Sequence, residues 1–316
     1  MTVRLTIDRE RWLEHVEETM RAFRGIAQPV PVVKGNGYGL GRSFLADIAA
    51  GFDCAIAVGT VHELDHLPAD VDIRVLTPTL APFDRHTLGG RVVLTVGSSE
   101  HIAANAGSRN RVIVKLETSM HRYGGGYELV DEARAADLEV IGISIHPTLA
   151  ASESDRRAEA ARLLDDERLT SDLYVWLSHL APVSLLELPH WHPHRFHLRM
   201  GTELWHGDRG ALLLTADVLQ VRPVTAGTPV GYRQNPVPGD GHLVMVGAGT
   251  AHGVHPLHDG RSPFHFRRRR LDLIEPPHMH TSMLFVPAGV TPPPVGEHID
   301  LQRPLSQTSA DEIIWH

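Results

Sequence analysis

The chain of 316 residues has a single cysteine, Cys54, so no internal disulfide framework is possible. Cys54 stands in an apolar run and reads as a buried, inert thiol. No apolar stretch approaches the ~20 residues of a membrane span, and the N-terminus lacks the apolar core of a signal peptide. Both absences predict a cytoplasmic protein with no membrane partner. Positive charge is not in excess either. The formal net charge is −8, which argues against a general affinity for nucleic acid. The basic run Arg267–Arg270 is local and reads as a solvated or partner-facing loop. No internal repeat or low-complexity tract stands out.

What is present is the composition of a globular protein, 42% hydrophobic and 22% charged, with a length that suits one large domain and a smaller one. Over residues 8–24, Trp12, His15, Val16, Met20 and Phe23 recur at three- and four-residue steps, the period of an amphipathic helix. An apolar strand over about 30–34 follows. Further strands are predicted at Cys54–Val58, Ile73–Leu76, Val92–Val96, Val112–Leu116, Val140–Ile145, Leu173–Leu177 and Phe196–Arg199. Segments 42–51, 98–106, 128–137 and 154–166 between them look helical. About eight such units make the pattern of a TIM-like (β/α)8 barrel. From about residue 211 proline and glycine are dense and no long helix is apparent. Strands are predicted there at Leu212–Val221, Thr228–Tyr232, His242–Val246, Phe264–Leu273, Ser282–Pro287 and Glu297–Leu301. The expected architecture is an α/β barrel over residues 1–210 followed by a small mainly-β domain over 211–316.

The stretch around which the chain is organised runs from Pro29 to Gly41. An apolar run stops at Lys34, and a turn with glycines at 35, 37, 39 and 41 and a tyrosine at 38 follows. A strand ending there would deliver the amine at the C-terminal mouth of a barrel, the reactive face of that fold. Glycines allow positive φ and close approach of backbone to a ligand. A lysine in such a place forms a Schiff base with an aldehyde when its pKa is depressed.

This stretch resembles the cofactor-lysine motif of alanine racemases, Val-Val-Lys-Ala-Asn-Ala-Tyr-Gly-His-Gly. The resemblance continues in order along about two-thirds of the chain. Val112 to Gly124 resembles the family's second signature, Lys-x-Asp-Thr-Gly-Met-x-Arg-Leu-Gly, with Glu117 and Ser119 in place of Asp and Gly. It assigns Arg122 to the cofactor phenolate and the substrate carboxylate, a role suited to a guanidinium fork. It makes Lys115, often carbamylated in the family, the residue that orients that arginine. The strand ending in His146 resembles the family's strand whose histidine lies by the pyridine ring. His197 to Thr202 is similar to the family's Val-Arg-Pro-Gly-Ile segment, which places Arg199 at the pyridine nitrogen. An arginine cannot accept a proton, so it keeps that nitrogen unprotonated and favours simple proton removal and return. The resemblance further implies that Gly201, Thr202, Ser184 and Tyr38 hold the phosphate. Val183 stands where the family carries an asparagine.

The last third departs from the pattern. Pro229-Val230-Gly231-Tyr232 resembles the family's Val-Ser-Tyr-Gly segment. In Val246 to Val254, however, Thr250 stands where the family has its second catalytic tyrosine, and His252 where it has an aspartate. The family's Val-Ser-Met-Asp motif becomes Thr281-Ser282-Met283-Leu284. The chain ends at His316, before the family's final segment with its cofactor-adjacent tyrosine.

The resemblance implies a cytoplasmic, pyridoxal 5′-phosphate-dependent, amino-acid racemase-like enzyme. It would act at the α-carbon of a small-molecule amino-acid substrate through Lys34 and form a homodimer. The missing tyrosine leaves the second base to a histidine of the β domain: His252, His278 or His280. Three alternatives stay open. One is other pyridoxal chemistry on the same scaffold (decarboxylase, aldolase or lyase), with the His278-Met279-His280 spacing weakly compatible with a metal. The others are a non-catalytic cofactor-binding protein and a cofactor-free barrel. No metal is assigned.

Overall fold

In the computed structural model, which describes residues 2–84 and 86–316, the chain opens on strand β1 (Val3–Ile7), and helix α1 (Arg9–Phe23) follows. The α1 residues at helical spacing are the buried ones: Trp12, Val16, Met20 and Phe23. Eight parallel strands come next. They are β2 (Gln28–Pro31), β3 (Ile56–Val58), β4 (Ile73–Val75), β5 (Val92–Val96), β6 (Arg111–Lys115), β7 (Glu139–Ser144), β8 (Tyr174–Ser178) and β9 (Phe196–Met200). Their order is β2-β9-β8-β7-β6-β5-β4-β3. The two ends meet where Val32 bridges Ala57 and the Val33 N–H donates to the Ala57 carbonyl at 2.8 Å. The result is the expected (β/α)8-type barrel. Its strands read as near-continuous apolar runs because both faces are covered.

The connections are less regular than eight repeats suggest. Five α-helices sit in or after the crossovers: α2 (Arg42–Ala50), α3 (Ser99–Asn105), α4 (Glu128–Ala135), α5 (Glu153–Leu164) and α6 (Pro182–Leu186), and α7 (Thr202–His206) follows β9. Between β3 and β4, and between β4 and β5, the described residues form only 3₁₀ turns, at Val61–Glu63 and Thr87–Gly90. The short α6 and α7 have no counterpart among the helices read from sequence. The lysine strand also ends earlier than expected, at Pro31. Pro29 and Pro31 have no N–H to donate. Val32 donates to Met200 of β9 and Val33 to Ala57 of β3, so the chain passes from one neighbour to the other just before Lys34.

The described chain clusters into two units, one of residues 16–37 and 41–207, the other of 1–15, 38–40 and 208–316. The first fifteen residues, assigned to the barrel from sequence, therefore group with the β unit. The cause is strand pairing. The thirteen-residue strand β10 (Leu212–Val224) is antiparallel to β1, with Leu5 opposite Leu214. Thr215–Asp217 of β10 pair on the other edge with the strand His298–Leu301, and its later residues pair with Gly241–Val246. β1 also pairs in parallel with the terminal strand Glu312–Trp315, and Trp12 meets Trp315 edge-on at 5.5 Å. Val230, Val237, Leu243, Met283 and Phe285 form an apolar cluster within this unit. No helix among the described residues is long and apolar enough to cross a membrane.

Candidate active site

The polar side chains marked by the sequence gather in the barrel unit at the C-terminal ends of its strands. Lys34 lies three residues beyond β2, and Lys115 is the last residue of β6. Arg122 lies on the loop after β6, His146 and His179 just beyond β7 and β8, and Arg199 within the last turn of β9. This is the face on which barrel loops converge. The chain contains only two lysines, at positions 34 and 115, against 28 arginines. Both are in this group, a scarcity in the sequence that singles them out.

Lys34 is held below the ordinary lysine pKa, first by desolvation, then by the positive charges of Arg122 and Arg199, with Glu63 opposing. Lys115, 4% exposed, is lowered to about 7 by burial and by Arg199, Arg122 and Lys34. Its Nζ and the Arg122 guanidinium each lie 5.3 Å from the Tyr123 ring. Glu63, which no sequence signal marked, fixes the backbone around Lys34. Its Oε2 accepts from the Gly35 N–H at 3.2 Å and from the Gly59 N–H at 2.7 Å. Gly35 has φ +65°, the left-handed conformation that its lack of a side chain permits.

Arg199 is fixed by three hydrogen bonds: Nη1 to Ser144 Oγ at 2.8 Å, Nη2 to the Ile145 carbonyl at 2.9 Å and Nε to the Leu177 carbonyl at 3.4 Å. Burial, then Arg122, brings its pKa down to about 10, so it stays charged at neutral pH. His146 Nδ1 lies 3.0 Å from Ser178 Oγ, and its ring meets that of His179 edge-on at 4.7 Å. His179 is a second histidine that sequence reading missed. The signal was available, since Ser178-His179 closes an apolar strand much as Ser144-Ile145-His146 does.

The expected phosphate group is less uniform. Gly201 precedes α7, and Thr202 is exposed on its first turn. Ser184, buried on α6, is hydrogen-bonded to the Glu153 carboxylate, which also accepts from the Ala181 N–H at 2.8 Å. Its hydroxyl is thus engaged by an acid. Tyr38 has φ 55° within the turn Gly37–Gly39, and it clusters with the β unit. Burial pushes its phenol up to about 12.

In the β unit, His252 is braced on both ring nitrogens. Nδ1 accepts from the Gly249 N–H at 3.1 Å, and Nε2 faces Asp311 Oδ2 at 3.3 Å. The Thr2 hydroxyl donates to that same carboxylate oxygen. His280 is exposed, with its ring 5.9 Å from that of His252. His278 pairs with Glu275 at 2.5 Å and packs on Tyr232 at 4.7 Å. Tyr232 is 87% exposed. The Thr250 N–H donates to the His278 carbonyl at 2.8 Å, so the threonine at the missing-tyrosine position adjoins this array of an exposed Tyr232, a half-buried His278 and a buried Glu275. Among the described residues no three His, Cys, Asp or Glu side chains are grouped to hold a metal ion.

The family model described as alanine racemase, N-terminal domain, matches residues 7–204. No curated protein matches in sequence. Solved structures match over essentially the whole chain. The alanine racemase of Bartonella henselae with covalently bound pyridoxal phosphate has a TM-score of 0.76 at 19% identity, covering 100% of each chain. That of Clostridium difficile 630 has a TM-score of 0.75 at 16% identity, covering 100% of this chain and 96% of the other. That of Streptomyces coelicolor A3(2) has a TM-score of 0.69 at 20% identity, covering 99% and 98%. At these identities the likeness establishes the fold.

Proposed function

The chain belongs to the family described as alanine racemase, N-terminal domain, and from that premise we propose that it is a pyridoxal 5′-phosphate-dependent enzyme that removes and returns the α-proton of an amino acid. The observation that carries this reading is the Lys34 amine, set at the reactive face of the barrel and held below its ordinary pKa by desolvation and by the charges of Arg122 and Arg199. A lowered pKa makes an amine the readier nucleophile for an aldehyde. The residues present fit the cofactor. Lys34 would hold its aldehyde carbon, and the fixed Arg199 guanidinium its ring nitrogen, with His146 beside the ring. Arg122 would hold its phenolate, and the backbone amides at Gly201 and Thr202 its phosphate. When bound, pyridoxal phosphate supplies the electron sink that makes the α-proton labile.

The chain's own residues then divide the work. Arg122 orients the substrate carboxylate by a charge-assisted fork. Lys34, returned to its neutral form, takes the proton from one face of the α-carbon. Arg199 stays a cation and cannot relay a proton, which restricts the chemistry to removal and return. The second proton carrier is assigned to the β unit, where His280 and Tyr232 are exposed, His278 is half-buried on Glu275 and His252 is braced. The role of a homodimer in supplying that group belongs to the same proposal.

The test is an absorbance spectrum after incubation with pyridoxal phosphate, followed by borohydride reduction and peptide mapping. A pyridoxyl group on Lys34 is expected. Label only on Lys115 or the N-terminal amine, or no label, overturns the reading. Deuterium exchange at the α-carbon with inversion then supports racemisation. Exchange with retention, favoured by the threonine at position 250, would turn the reading to one-base chemistry on the same lysine.

A further inference from the structure

A cavity of about 610 Å³ opens at the opposite end of the barrel from Lys34. Its walls come from the starts of strands: Gln28 of β2, Asp53 before β3, Asp70 and Asp72 before β4, and His197 near the start of β9. Arg74 of β4 also lines it and is 7% exposed. One of its nitrogens, Nη2, donates to Asp72 Oδ2 at 3.2 Å. Nε and Nη1 are buried and meet no acceptor among the described residues. The Trp176 ring lies 5.8 Å from the guanidinium, and His197 stacks on that ring at 4.7 Å and 19°. Trp176 Nε1 and His197 Nε2 are likewise buried without a partner among the described residues.

We propose that this cavity is a second binding site, one that takes a free amino acid with its carboxylate inward at Arg74 and its ammonium outward at Asp53 and Asp70. The inner end is rich in donors. Arg74, which lines it, can only donate, and buried donors without acceptors are costly, so the complementary group carries acceptor oxygens and negative charge. Asp72 does not meet that need alone, because it also lies 3.6 Å from Arg111. The outer end has the opposite sign. Asp53 and Asp70 are exposed at the rim and disfavour a plain anion while attracting a cationic group. A carboxylate and an ammonium on one small molecule satisfy both ends, and the cavity is of a size that holds small ligands. The proposal stands on this end of the barrel only and does not depend on the chemistry assigned to Lys34.

Cys54, the one cysteine of the chain, is half-buried, not fully buried as expected, and lines the same cavity; burial, then Asp53, pushes its thiol up to about 12, so its modification at alkaline pH reports on occupancy. The experiment measures the rate of Cys54 modification by methyl methanethiosulfonate on the full chain, with each of the twenty protein amino acids at millimolar concentration. At least one amino acid is expected to slow modification about tenfold, with calorimetry giving a matching affinity. Its amide, which lacks the carboxylate, and the corresponding carboxylic acid without the amine are expected to protect far less. Arg74→Met is expected to abolish protection while pyridoxal phosphate still labels Lys34. Ala69→Trp, which fills the exposed mouth and leaves the buried guanidinium alone, is expected to do the same and serves if Arg74→Met does not fold. No protection by any amino acid, equal protection by the amine-free acid, or protection that survives either substitution overturns the proposal. Failure of Lys34 labelling with protection intact would count only against the proposed catalytic chemistry.

Discussion

Arg199 and His146 are locked together: the guanidinium Nη2 that donates to the Ile145 carbonyl also lies 3.3 Å from His146 Nδ1. A guanidinium has no acceptor to offer, and the Ser178 hydroxyl at 3.0 Å can donate, so Nδ1 is assigned as the unprotonated nitrogen of a neutral imidazole. The proton then sits on Nε2, which faces His179 Nε2 at 3.3 Å, and His179 must carry its own proton on Nδ1. The pair is therefore a chain of neutral rings ending on a fixed cation.

That arrangement sets the response of the fold to acid. Burial, then Arg199, pushes His146 down to about 2. Burial, then Arg199, brings His179 to about 4, and burial, then Arg74, brings His197 to about 3. Each folded pKa lies below the unfolded value near 6.5, so the unfolded chain takes up the proton first. The contribution is complete above about pH 6.5 and is lost as pH falls toward the folded values. Each ring can cost up to about 1.4 kcal/mol per pH unit over that window, less solvent screening of the partly exposed rings. Urea midpoints at pH 7, 6 and 5 should fall steadily. His146→Asn should flatten the slope, and an unchanged slope would refute the coupling.

Lys115, lowered to about 7, is largely uncharged at pH 8. A neutral lysine beside Arg122 and Arg199 is disposed to take up carbon dioxide, since the carbamate it forms is an anion among cations. Carbon-13 NMR in labelled bicarbonate should show one protein carbamate at pH 8 that fades below pH 7 and is absent in Lys115→Met. A signal that persists in that variant would assign it elsewhere.

Glu63 holds Gly35 and Gly59 through one carboxylate oxygen. Glu63→Ala leaves both N–H groups without that acceptor and should destabilise the chain by about 1–2 kcal/mol, reduced by whatever water replaces it. It should also weaken pyridoxal phosphate labelling of Lys34 several-fold, while Glu63→Gln, which keeps an acceptor oxygen, should recover most of both. Equal behaviour of the two variants would show that charge, not loop support, is what matters.

His252 is expected to act as a brace. His252→Ala removes the acceptor for Gly249 N–H and the partner of Asp311, and should cost about 1–3 kcal/mol in thermal or urea unfolding. α-Proton exchange per folded molecule should survive it and fall in variants of the true second proton carrier, with His280→Ala and Tyr232→Phe the informative comparisons. Loss of exchange in a stably folded His252→Ala would return that ring to the catalytic group.

Gly142 of β7 admits no side chain, because an added Cβ would run into the Tyr174 carbonyl and the Trp176 ring. Gly142→Ala should destabilise by about 1–3 kcal/mol through overpacking, read as a lowered urea midpoint.

Much of the barrel was legible beforehand because its signals are local. Apolar runs broken at Lys34, Lys115, His146 and Arg199 mark strands that end in chemistry, and the order of those breaks follows the barrel. Glu63 and His179 were harder. A carboxylate whose task is to hold two backbone N–H groups leaves no pattern around itself, and a histidine after a strand is common in proteins of many kinds.

The sequence by itself determined the periodicity of each element, the Gly-rich turn after Lys34 and the confinement of both lysines to the barrel's reactive end. These depend on a residue's own conformational range and on near neighbours. Tertiary structure alone decided that β1 pairs with β10 and with the terminal strand, which moves the first fifteen residues into the β unit. It also decided that Thr2, His252 and Asp311 meet, and that Arg74, Trp176 and His197 converge at the far end of the barrel. Such contacts join positions tens to hundreds of residues apart. They arise only when hydrogen-bonded strand pairing and burial of both sheet faces select one arrangement of the whole chain, and no local window of sequence records that choice.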